Sequence, residues 1–303
     1  MISPRNGVVV RVDSPTEQRN PRTTDIDRVP TIEVLRMIND EDRTVPSAVA
    51  QALPELALAV DLGVTAIMSG GRVHYVGAGT SGRLATLDAA ELVPTFNAPA
   101  DWFVAHHAGG PEALVRAVEE VEDHSGATQI RRHATPKDLV VGVTASGRTP
   151  FVIGALQEAQ ALGARTVLVS NNASVPFEPD VLVALNTGPE AIAGSTRMKA
   201  GSAQKLVLTS FSTAVMVKLG RTYSNLMVSM RATNAKLRGR TIRILHEATG
   251  LPAGDCEQAL ADASGDLKVA LVHLLSGVPT ERAAAALEDT KGHVRNALDR
   301  LAG

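Results

Sequence analysis

Two stretches of the chain share one order of features: an apolar strand, a loop of glycines and hydroxyl side chains, and then a helix. The loops are residues 76–83 (VGAGTSGR) and residues 144–149 (TASGRT). Such a loop directs backbone N–H groups, hydroxyls and the positive end of a helix dipole toward one anion. Two such loops at corresponding places in one α/β unit predict a phosphorylated small molecule as the ligand.

The apolar runs around these loops predict the fold class. Strands are expected at residues 72–76, 102–105, 139–143, 166–169 and 181–185. Strand and helix patterns alternate about every 25 to 35 residues, which predicts right-handed βαβ units and a parallel sheet. Continuous apolar strands suit a sheet covered on both sides. We therefore expect an α/β protein, a three-layer sandwich with helices on both faces of the sheet.

Proline and apolar spacing set the predicted helices. A helix over residues 45–70 is kinked or divided at Pro54, and a helix over residues 84–92 ends at Pro94. A further helix runs from Pro111 to about His124. The long stretch from residue 195 to residue 225 is predicted to be one buried helix.

The two ends of the chain differ from its middle. Residues 1–30 are rich in Pro, Arg and Asp without periodicity, which predicts a flexible N-terminal arm, either mobile or bound to a partner. The main domain is expected over residues 31–240. Residues 241–303 lack strand signals and predict a compact helical module that stabilises the fold or supports a dimer. Within it, Asp255 and Gln258 have the spacing of a capping box.

Composition excludes several classes of function. A formal charge of −2 over 303 residues, without a run of Lys or Arg, argues against a nucleic-acid partner. No apolar run reaches about 18 residues, so no membrane span is expected. Residues 1–6 do not resemble a signal peptide. The one cysteine, Cys256, fits a reducing compartment, and we expect a cytoplasmic location.

The first loop supplies Thr80, Ser81 and Gly82 as candidate phosphate-binding residues. The alternative is that its glycines only permit close packing of helix on sheet. Dinucleotide binding is disfavoured because Arg83 interrupts the glycine pattern, and the Gly-Lys-Ser/Thr of a P-loop is missing.

The second loop supplies Ser146, Gly147, Arg148 and Thr149. Its hydroxyls can donate to phosphate oxygens while backbone amides complete the cradle. The alternative is a simple helix N-cap by Ser146 or Thr149, worth about 1 kcal/mol.

Carboxylates near these loops are the candidate catalysts. Glu91 follows the first loop by two to three helical turns, and Glu119 and Glu122 share one face of the next predicted helix. Two carboxylates beside a phosphate-anchored sugar can exchange protons at adjacent carbons. The alternative is a solvated helix face. The histidines and Cys256 form no metal-binding pattern, so neither a metal nor a cofactor is expected.

A fourth group of polar residues lies in residues 194–205 (GSTRMKAGSAQK). Ser195, Thr196, Arg197 and Lys199 precede or open a long helix. They either line the mouth of a pocket or cap the helix and pair with acidic neighbours, and the sequence does not decide between these two roles.

The longer motifs resemble those of the N-acetylmuramic acid 6-phosphate etherases, a family of the sugar isomerase (SIS) superfamily. The matching segments are residues 77–83 (GAGTSGR), 91–96 (ELVPTF), 119–123 (EEVED), 144–150 (TASGRTP), 194–205 and 223–228 (YSNLMV). The resemblance runs from about Ile32 to Lys236. Departures are modest: Leu92-Val93 replaces a frequent Cys-Pro, Glu120-Val121 a smaller pair and Ala193 a frequent Thr.

The resemblance implies an SIS fold with a small, UBA-like helical module at the C-terminus. It also implies cleavage of the D-lactyl ether of N-acetylmuramic acid 6-phosphate by elimination and hydration, without a cofactor, in a homodimer with sites at the subunit interface. Glu91 is then the acid/base and Glu122 the second active-site residue, and which proton each transfers stays open. Two alternatives are a non-catalytic sugar-phosphate sensor, which would not need the two glutamates, and an aldose–ketose isomerase, which would lack residues 194–205.

Overall fold

The computed structural model describes residues 14–116, 118, 120–230 and 235–303 of the chain. They pack into two compact units, each built from segments that are distant in sequence. The first unit contains the described residues up to Ala59 together with Val73–Thr86 and Ala105–Leu208. The second contains Val60–Arg72, Leu87–Val104 and the described part of Thr209–Gly303. The predicted domains, by contrast, are contiguous in sequence.

The regular elements follow in chain order. The α-helices are α1 (Thr31–Asp42), α2 (Val45–Gln51), α3 (Leu53–Met68), α4 (Gly79–Phe96), α5 (Gly110–Val115), α6 (Ala127–His133), α7 (Pro150–Ala161), α8 (Lys199–Lys218), α9 (Ala235–Thr249), α10 (Ala253–Asp262), α11 (Leu267–Ser276), α12 (Thr280–Asp289) and α13 (Val294–Ala302). The strands are β1 (Val73–Gly77), β2 (Phe103–His107), β3 (Leu139–Thr144), β4 (Arg165–Ser170), β5 (Val181–Ala184), β6 (Thr222–Tyr223) and β7 (Leu226–Met227). Short 3₁₀ helices cover Pro15–Glu17 and Val121–Asp123.

The main sheet has the strand order β2-β1-β3-β4-β5. Strands β1, β3, β4 and β5 pair in parallel, and the register aligns Gly77 with Val143. Every residue of β1 and β3 is buried, as expected for a sheet covered on both faces. The predicted α/β class and parallel sheet are confirmed, with strand ends shifted by one or two residues.

Helix α7 covers the central strands of the sheet. It packs on β1, β3 and β4, and its buried face includes Val152 and Leu156. Gly142, in the middle of β3, makes room for that face: a Cβ there would lie 2.6 Å from Cγ1 of Val152. Strand and helix therefore approach closely because this position has no side chain.

One predicted helix division agrees with the structure, and two predicted helix ends differ from it. The chain does divide near Pro54, where α2 ends at Gln51 and α3 begins at Leu53. Helix α4, however, continues through Pro94 to Phe96, because a proline so near the C-terminal end disrupts little of the helix. Helix α8 ends at Lys218, followed by Gly220 with a φ of +69°. Strand β6, which pairs antiparallel with β7, lies within residues 195–225, where helix is predicted.

The N-terminal segment is held against the first unit. The hydroxyl of Thr23 donates to the carbonyl of Ala191 at 2.8 Å, and the amide of Gly194 donates to the carbonyl of Thr16 at 3.0 Å. Over residues 14–30 this differs from the predicted flexible arm, and residues 1–13 lie outside the described part of the chain. A hydroxyl and backbone groups make these contacts, so the pattern of apolar residues in the sequence does not predict them.

Helices α9 to α13 share an apolar core that includes Leu245, Cys256 and Leu271, each fully buried. Asp266 caps α11, accepting hydrogen bonds from the amides of Lys268 and Val269. The predicted capping box is wrong: Pro252 precedes α10 without a side-chain cap, and Gln258 donates to Asp262.

In the described part of the chain, no single helix is long and apolar enough to cross a membrane. One bent pair, residues 31–51 with 53–68, meets the criteria of length and composition together.

Candidate active site

The two glycine loops emerge side by side from the main sheet. One follows β1 and the other follows β3, neighbouring parallel strands whose last residues are in register. Between these strands the order of the sheet also reverses: β2 lies beyond β1 on one side, and β4 and β5 lie beyond β3 on the other. In open α/β sheets, ligands bind outside the carboxyl ends of the strands at such a switch point. Both predicted phosphate loops therefore lie where this architecture places a ligand.

The glycines of the first loop have a steric role. A Cβ on Gly77 would lie 2.7 Å from the backbone nitrogen of Gly82, and a Cβ on Gly82 would lie 2.6 Å from the carbonyl oxygen of Gly77. Gly79 has a φ of +53° as the chain turns into α4. Gly77 and Gly82 thus let the end of β1 and the start of α4 approach closely, and Gly79 supplies the positive φ. Ligand binding by the loop depends on its backbone amides and on Thr80 and Ser81.

Thr80 lines one side of a cavity of about 410 Å³, which we call the Arg197 cavity. It is lined by Asp42, Val45, Pro46, Thr80, Leu84, Arg197, Gly201, Ser202, Lys205 and Leu206. Two cations and one carboxylate contribute to this lining. The cavity brings the first glycine loop together with residues 197–206, which are 117 or more positions away in sequence.

Glu122 lies on a smaller cavity of about 230 Å³, the Glu122 cavity. Its lining residues are Ala78, Gly79, Arg83, His107, Ala108, Ala113, Val118, Glu120, Val121 and Glu122. The predicted helix from Pro111 to His124 is wrong, since α5 ends at Val115 and Glu122 lies in a separate 3₁₀ turn. Glu120 enters that turn with a φ of +63°. The turn brings the exposed Glu122 beside the first loop, and Glu119 lies outside the described residues.

Arg83 lines the Glu122 cavity, and hydrogen bonds to backbone carbonyls hold its side chain. Its guanidinium donates to the carbonyl oxygens of Ala113 at 2.7 Å, Leu114 at 2.9 Å and Arg116 at 3.1 Å. These are carbonyls at the C-terminal end of α5, where helix geometry leaves acceptors unsatisfied. Arg83 therefore fixes α5 to the start of α4.

The second loop forms a small network of hydroxyls. Thr144 Oγ1 lies 2.8 Å from Thr149 Oγ1 and 3.3 Å from Ser146 Oγ, which accepts from the amide of Arg148. Thr149 occupies the N-cap position of α7, but its side chain caps no amide. Gly147 has a φ of +73°, and a Cβ there would lie 2.7 Å from Ser170 Oγ. The half-buried hydroxyls of Ser146 and Thr149 are thus held near the helix start, while Arg148 is exposed.

Glu91 lies on α4, the helix that the first loop opens, and its side chain is exposed. It belongs to the second compact unit, whereas Glu122 belongs to the first. The positions one turn away from Glu91 on the same helix are Leu87, Asp88, Pro94 and Thr95. The exposed side chain agrees with either role considered above, a catalytic group or a solvated helix face.

Lys199 is buried in an ion pair instead of facing a cavity. It is 1% exposed, and its ammonium lies 2.7 Å from Oε2 of Glu41. Arg22 also binds this carboxylate, with its Nη2 at 2.8 Å from Oε2. The hydrogen bond from Arg22 is the main cause that lowers the pKa of Glu41 to about 2, and Lys199 adds to it. Of the two roles considered above for Lys199, pairing with an acidic neighbour is the one found.

A second buried carboxylate caps the same helix. Glu190 accepts hydrogen bonds from the backbone amides of Lys199 and Ala200, each at 2.9 Å. Burial raises the pKa of Glu190, and these two hydrogen bonds oppose the rise. Just before α8, Ser195 and Thr196 form a turn in which the carbonyl of Thr196 accepts a hydrogen bond from the amide of Gly201. The exposed Arg197 projects from this turn.

Sequence reasoning missed Arg22, Glu41 and Glu190. Glu41 and Lys199 are 158 residues apart, and no local spacing connects them. The only signal in the sequence was the concentration of polar residues in 194–205, which is compatible with buried polar contacts as well as with a pocket.

The histidines form a hydrogen-bonded group. His74 Nδ1 lies 2.9 Å from His106 Nε2, and His74 Nε2 lies 3.3 Å from Asp138. Burial, with His74 and His133 nearby, lowers the pKa of His106 to about 4. Among the described residues, no group of His, Cys, Asp and Glu has the arrangement of a metal site.

Comparison with known proteins gives consistent results. A family model described as the glucokinase regulatory protein N-terminal SIS domain matches residues 55–160. A protein of Thermobifida fusca described as N-acetylmuramic acid 6-phosphate etherase is 60% identical over 87% of this chain and 88% of its own length. One of the same description from Pectobacterium atrosepticum is 49% identical over 86% of this chain and 88% of its own length. The structure of a phosphoheptose isomerase from Francisella tularensis aligns with a TM-score of 0.51 at 17% identity, over 62% of this chain and 100% of its own, which supports the fold alone.

Proposed function

Because the chain belongs to the N-acetylmuramic acid 6-phosphate etherase family, we propose that its two glycine loops and two glutamates form the site of that reaction. The enzyme is a carbon–oxygen lyase that cleaves the D-lactyl ether of N-acetylmuramic acid 6-phosphate. The products are N-acetylglucosamine 6-phosphate and D-lactate. The observation that carries the site assignment is the position of both loops at the switch point of the sheet.

The phosphate of the substrate is assigned to the two loops. Thr80 and Ser81, with the amide of Gly82, would face it from one side. Ser146 and Thr149, with the backbone at Gly147 and Arg148, would face it from the other. The hydroxyls can turn from the mutual contacts seen in the second loop to donate to phosphate oxygens.

The Arg197 cavity is assigned to the second anion of the substrate, the lactyl carboxylate. Arg197 and Lys205 outnumber Asp42 in its lining, so the cavity favours an anion. Arg197 is held on a turn that Glu190 and Lys199 fix at the start of α8. An Arg197→Met variant is expected to raise KM more than it lowers kcat.

Glu91 and Glu122 are assigned the proton transfers. After the sugar ring opens, a base removes the proton at C2, the bond from C3 to oxygen breaks, and D-lactate leaves with a proton from an acid. Water then adds across the new double bond, with its proton at C2 and its hydroxyl at C3. Two carboxylates suffice for these steps, because each proton taken up is later returned.

The alternatives of a sugar-phosphate sensor and of an aldose–ketose isomerase are not favoured, since the relatives at 49–60% identity carry the etherase name. The likeness to a phosphoheptose isomerase is at 17% identity and concerns the fold.

A homodimer in the cytoplasm completes the proposal. In the first unit, α1 and α3 expose four large apolar side chains, Ile32, Leu35, Leu53 and Leu58, which suit a subunit contact. Cys256 is buried and forms no disulfide, in agreement with a reducing compartment. Equilibrium sedimentation at micromolar concentration should give the mass of a dimer, and a monomer would contradict this part of the proposal.

The deciding experiment is a coupled assay for D-lactate with N-acetylmuramic acid 6-phosphate as substrate. Glu91→Ala should lower kcat by a factor of about 10² to 10⁴ while sugar-phosphate binding persists. Glu257→Ala, which removes an exposed glutamate from α10, is the matched control and should retain full activity. Normal lactate release by Glu91→Ala would show that the catalytic assignment is wrong.

A further inference from the structure

The second compact unit contains a cavity of about 330 Å³ that none of the predicted site residues line. We call it the cationic cavity. Its lining residues are Ile67, Met68, Trp102, Leu219, Arg221, Lys268, Lys291, Gly292 and His293. Three permanent or near-permanent cations and one histidine contribute to this lining, and no carboxylate does.

Lys268 is the most constrained of these cations. Its partly buried ammonium donates to the carbonyl oxygens of Gly220 at 2.8 Å and Gly292 at 2.7 Å. Burial, followed by the nearby charge of Arg221, lowers its pKa to about 8. Across the described part of the chain, Lys268 forms no ion pair, and its third N–H has no acceptor. The charge of Asp266 raises this pKa and so offsets the burial only in part. Burying an incompletely compensated cation is unfavourable, and a bound anion would relieve this.

Arg221 is similarly short of acceptors. Its guanidinium lies over the indole of Trp102, with Cζ at 4.7 Å from the ring centroid. One nitrogen donates to the carbonyl of Asn97 at 3.2 Å, and burial lowers the pKa of the group. Within the described residues it pairs with no carboxylate. The planar group is therefore held in place with donors to spare, the state in which arginine binds phosphate or carboxylate well.

The backbone brings these groups together. Gly220 and Gly292 both have positive φ angles, +69° and +79°. A Cβ on Gly220 would lie 2.7 Å from the ring of His293, so the chain before Arg221 packs directly on the residue that precedes α13. The positive end of the α13 dipole adds to the charge of the side chains at this place.

We propose that the cationic cavity is a second ligand site, which binds a phosphate group either as free phosphate or as a phosphate monoester of a small sugar. Several donors converge there from separate segments, which suits the several oxygens of a phosphate. Trp102 and Ile67 offer an apolar wall to an organic body. The site shares no residue with the two glycine loops, so it is independent of the proposed catalytic function.

Trp102 makes the proposal directly measurable, because it is the one tryptophan of the sequence. Titration of the full-length chain with inorganic phosphate should give a saturable change in its fluorescence. Lys268→Met should weaken the apparent Kd at least tenfold and Lys291→Ala about threefold. Lys218→Ala, an exposed lysine on the last turn of α8, is the matched control and should leave Kd unchanged.

Three further arms separate the explanations. Ser146→Ala should leave the fluorescence titration unchanged, and a parallel loss there would assign the signal to the glycine loops and overturn the proposal. Glucosamine 6-phosphate identifies the source of the phosphate: tighter binding of this ester than of inorganic phosphate indicates a sugar phosphate, and the reverse indicates free phosphate. Unphosphorylated glucosamine should give no saturable response, because it lacks the group that the cations bind.

Two other results would overturn the proposal. One is an unchanged Kd in both Lys268→Met and Lys291→Ala. The other is a change of the association state in Lys291→Ala without any phosphate response in the wild type, which would mean that a carboxylate of a second chain occupies the cavity. Because Lys291 is exposed, its variant keeps the test available if Lys268→Met does not fold.

Discussion

Lys199 and Lys268 are two lysines withdrawn from water in different ways. The ammonium of Lys199, in the first unit, lies 2.7 Å from a carboxylate oxygen of Glu41, which Arg22 also binds. The ammonium of Lys268, in the second unit, meets two carbonyl oxygens and forms no ion pair among the described residues. The charge of Lys199 is therefore neutralised within the described chain by an ion pair. Lys268 is held by carbonyl dipoles, and the charge of Asp266 acts on it without forming an ion pair in the described part of the chain.

The partners of a buried ammonium distinguish a structural cation from one that can still bind an anion. A buried ion pair is self-sufficient, and breaking it leaves an uncompensated charge. A cation satisfied only by carbonyl dipoles keeps its capacity to bind an anion. Both lysines lie in polar segments of the sequence, and only their surroundings separate them.

The largest effect is expected from Glu41→Gln, which removes the anion between Lys199 and Arg22. The buried ammonium of Lys199 then lacks its counter-charge, so the free energy of unfolding should fall by about 3 to 5 kcal/mol. Urea denaturation followed by circular dichroism measures this loss. The double variant Glu41→Gln/Lys199→Met should recover part of it, and simple additivity of the two single variants would contradict the coupling.

The pH dependence of stability should reveal the same pair. The pKa of Glu41 is about 2 in the folded chain, against 4.5 in its ordinary range. Its contribution to stability is therefore complete above pH 4.5 and is lost as the pH falls from 4.5 to 2, by roughly 3 kcal/mol in all. Urea midpoints across this interval should decline more steeply for the wild type than for Glu41→Gln. Parallel profiles would show that Glu41 is not the group responsible.

A smaller effect is expected at Lys268. At a phosphate concentration ten times Kd, binding should stabilise the wild type by about 1.4 kcal/mol. Thermal unfolding should show this as a rise in Tm that Lys268→Met lacks. Lys199, already paired, should not respond to phosphate, so an equal rise in the Lys268→Met variant would remove the distinction between the two lysines.

The smallest effect is expected from Lys291→Ala without phosphate. The side chain is exposed, so the free energy of unfolding should change by less than about 0.5 kcal/mol. Urea denaturation with and without phosphate separates this structural effect from ligand binding. A large loss without phosphate would mean that Lys291 supports the fold.

Much of the first unit could be predicted from local patterns. Five strands, the parallel sheet and the position of both glycine loops follow from short apolar runs and from the glycines after two of them. These features are local because strand burial and the steric needs of a tight turn act within a few residues. The family could also be predicted, since residues 77–83 and 194–205 are long continuous motifs.

The surroundings of individual polar residues could not be predicted. The position of Lys199 in the sequence is compatible with a pocket wall, yet a glutamate 158 residues away binds it. The sequence predicts a continuous helix through Glu122, but Glu120 takes a positive φ and begins a separate turn. Arg83 follows the first glycine loop in the sequence, and its side chain holds the end of α5.

By itself, the sequence determined the class of fold, the family and the places where the two glycine loops begin. These depend on the order of apolar, glycine and hydroxyl residues along the chain, and that order is visible without coordinates. The tertiary structure alone decided which charges are neutralised. Lys199 pairs with Glu41, whereas Lys268 forms no ion pair among the described residues. The energy of a buried charge depends on the groups that folding brings within a few ångströms of it, and residues distant in sequence make those contacts.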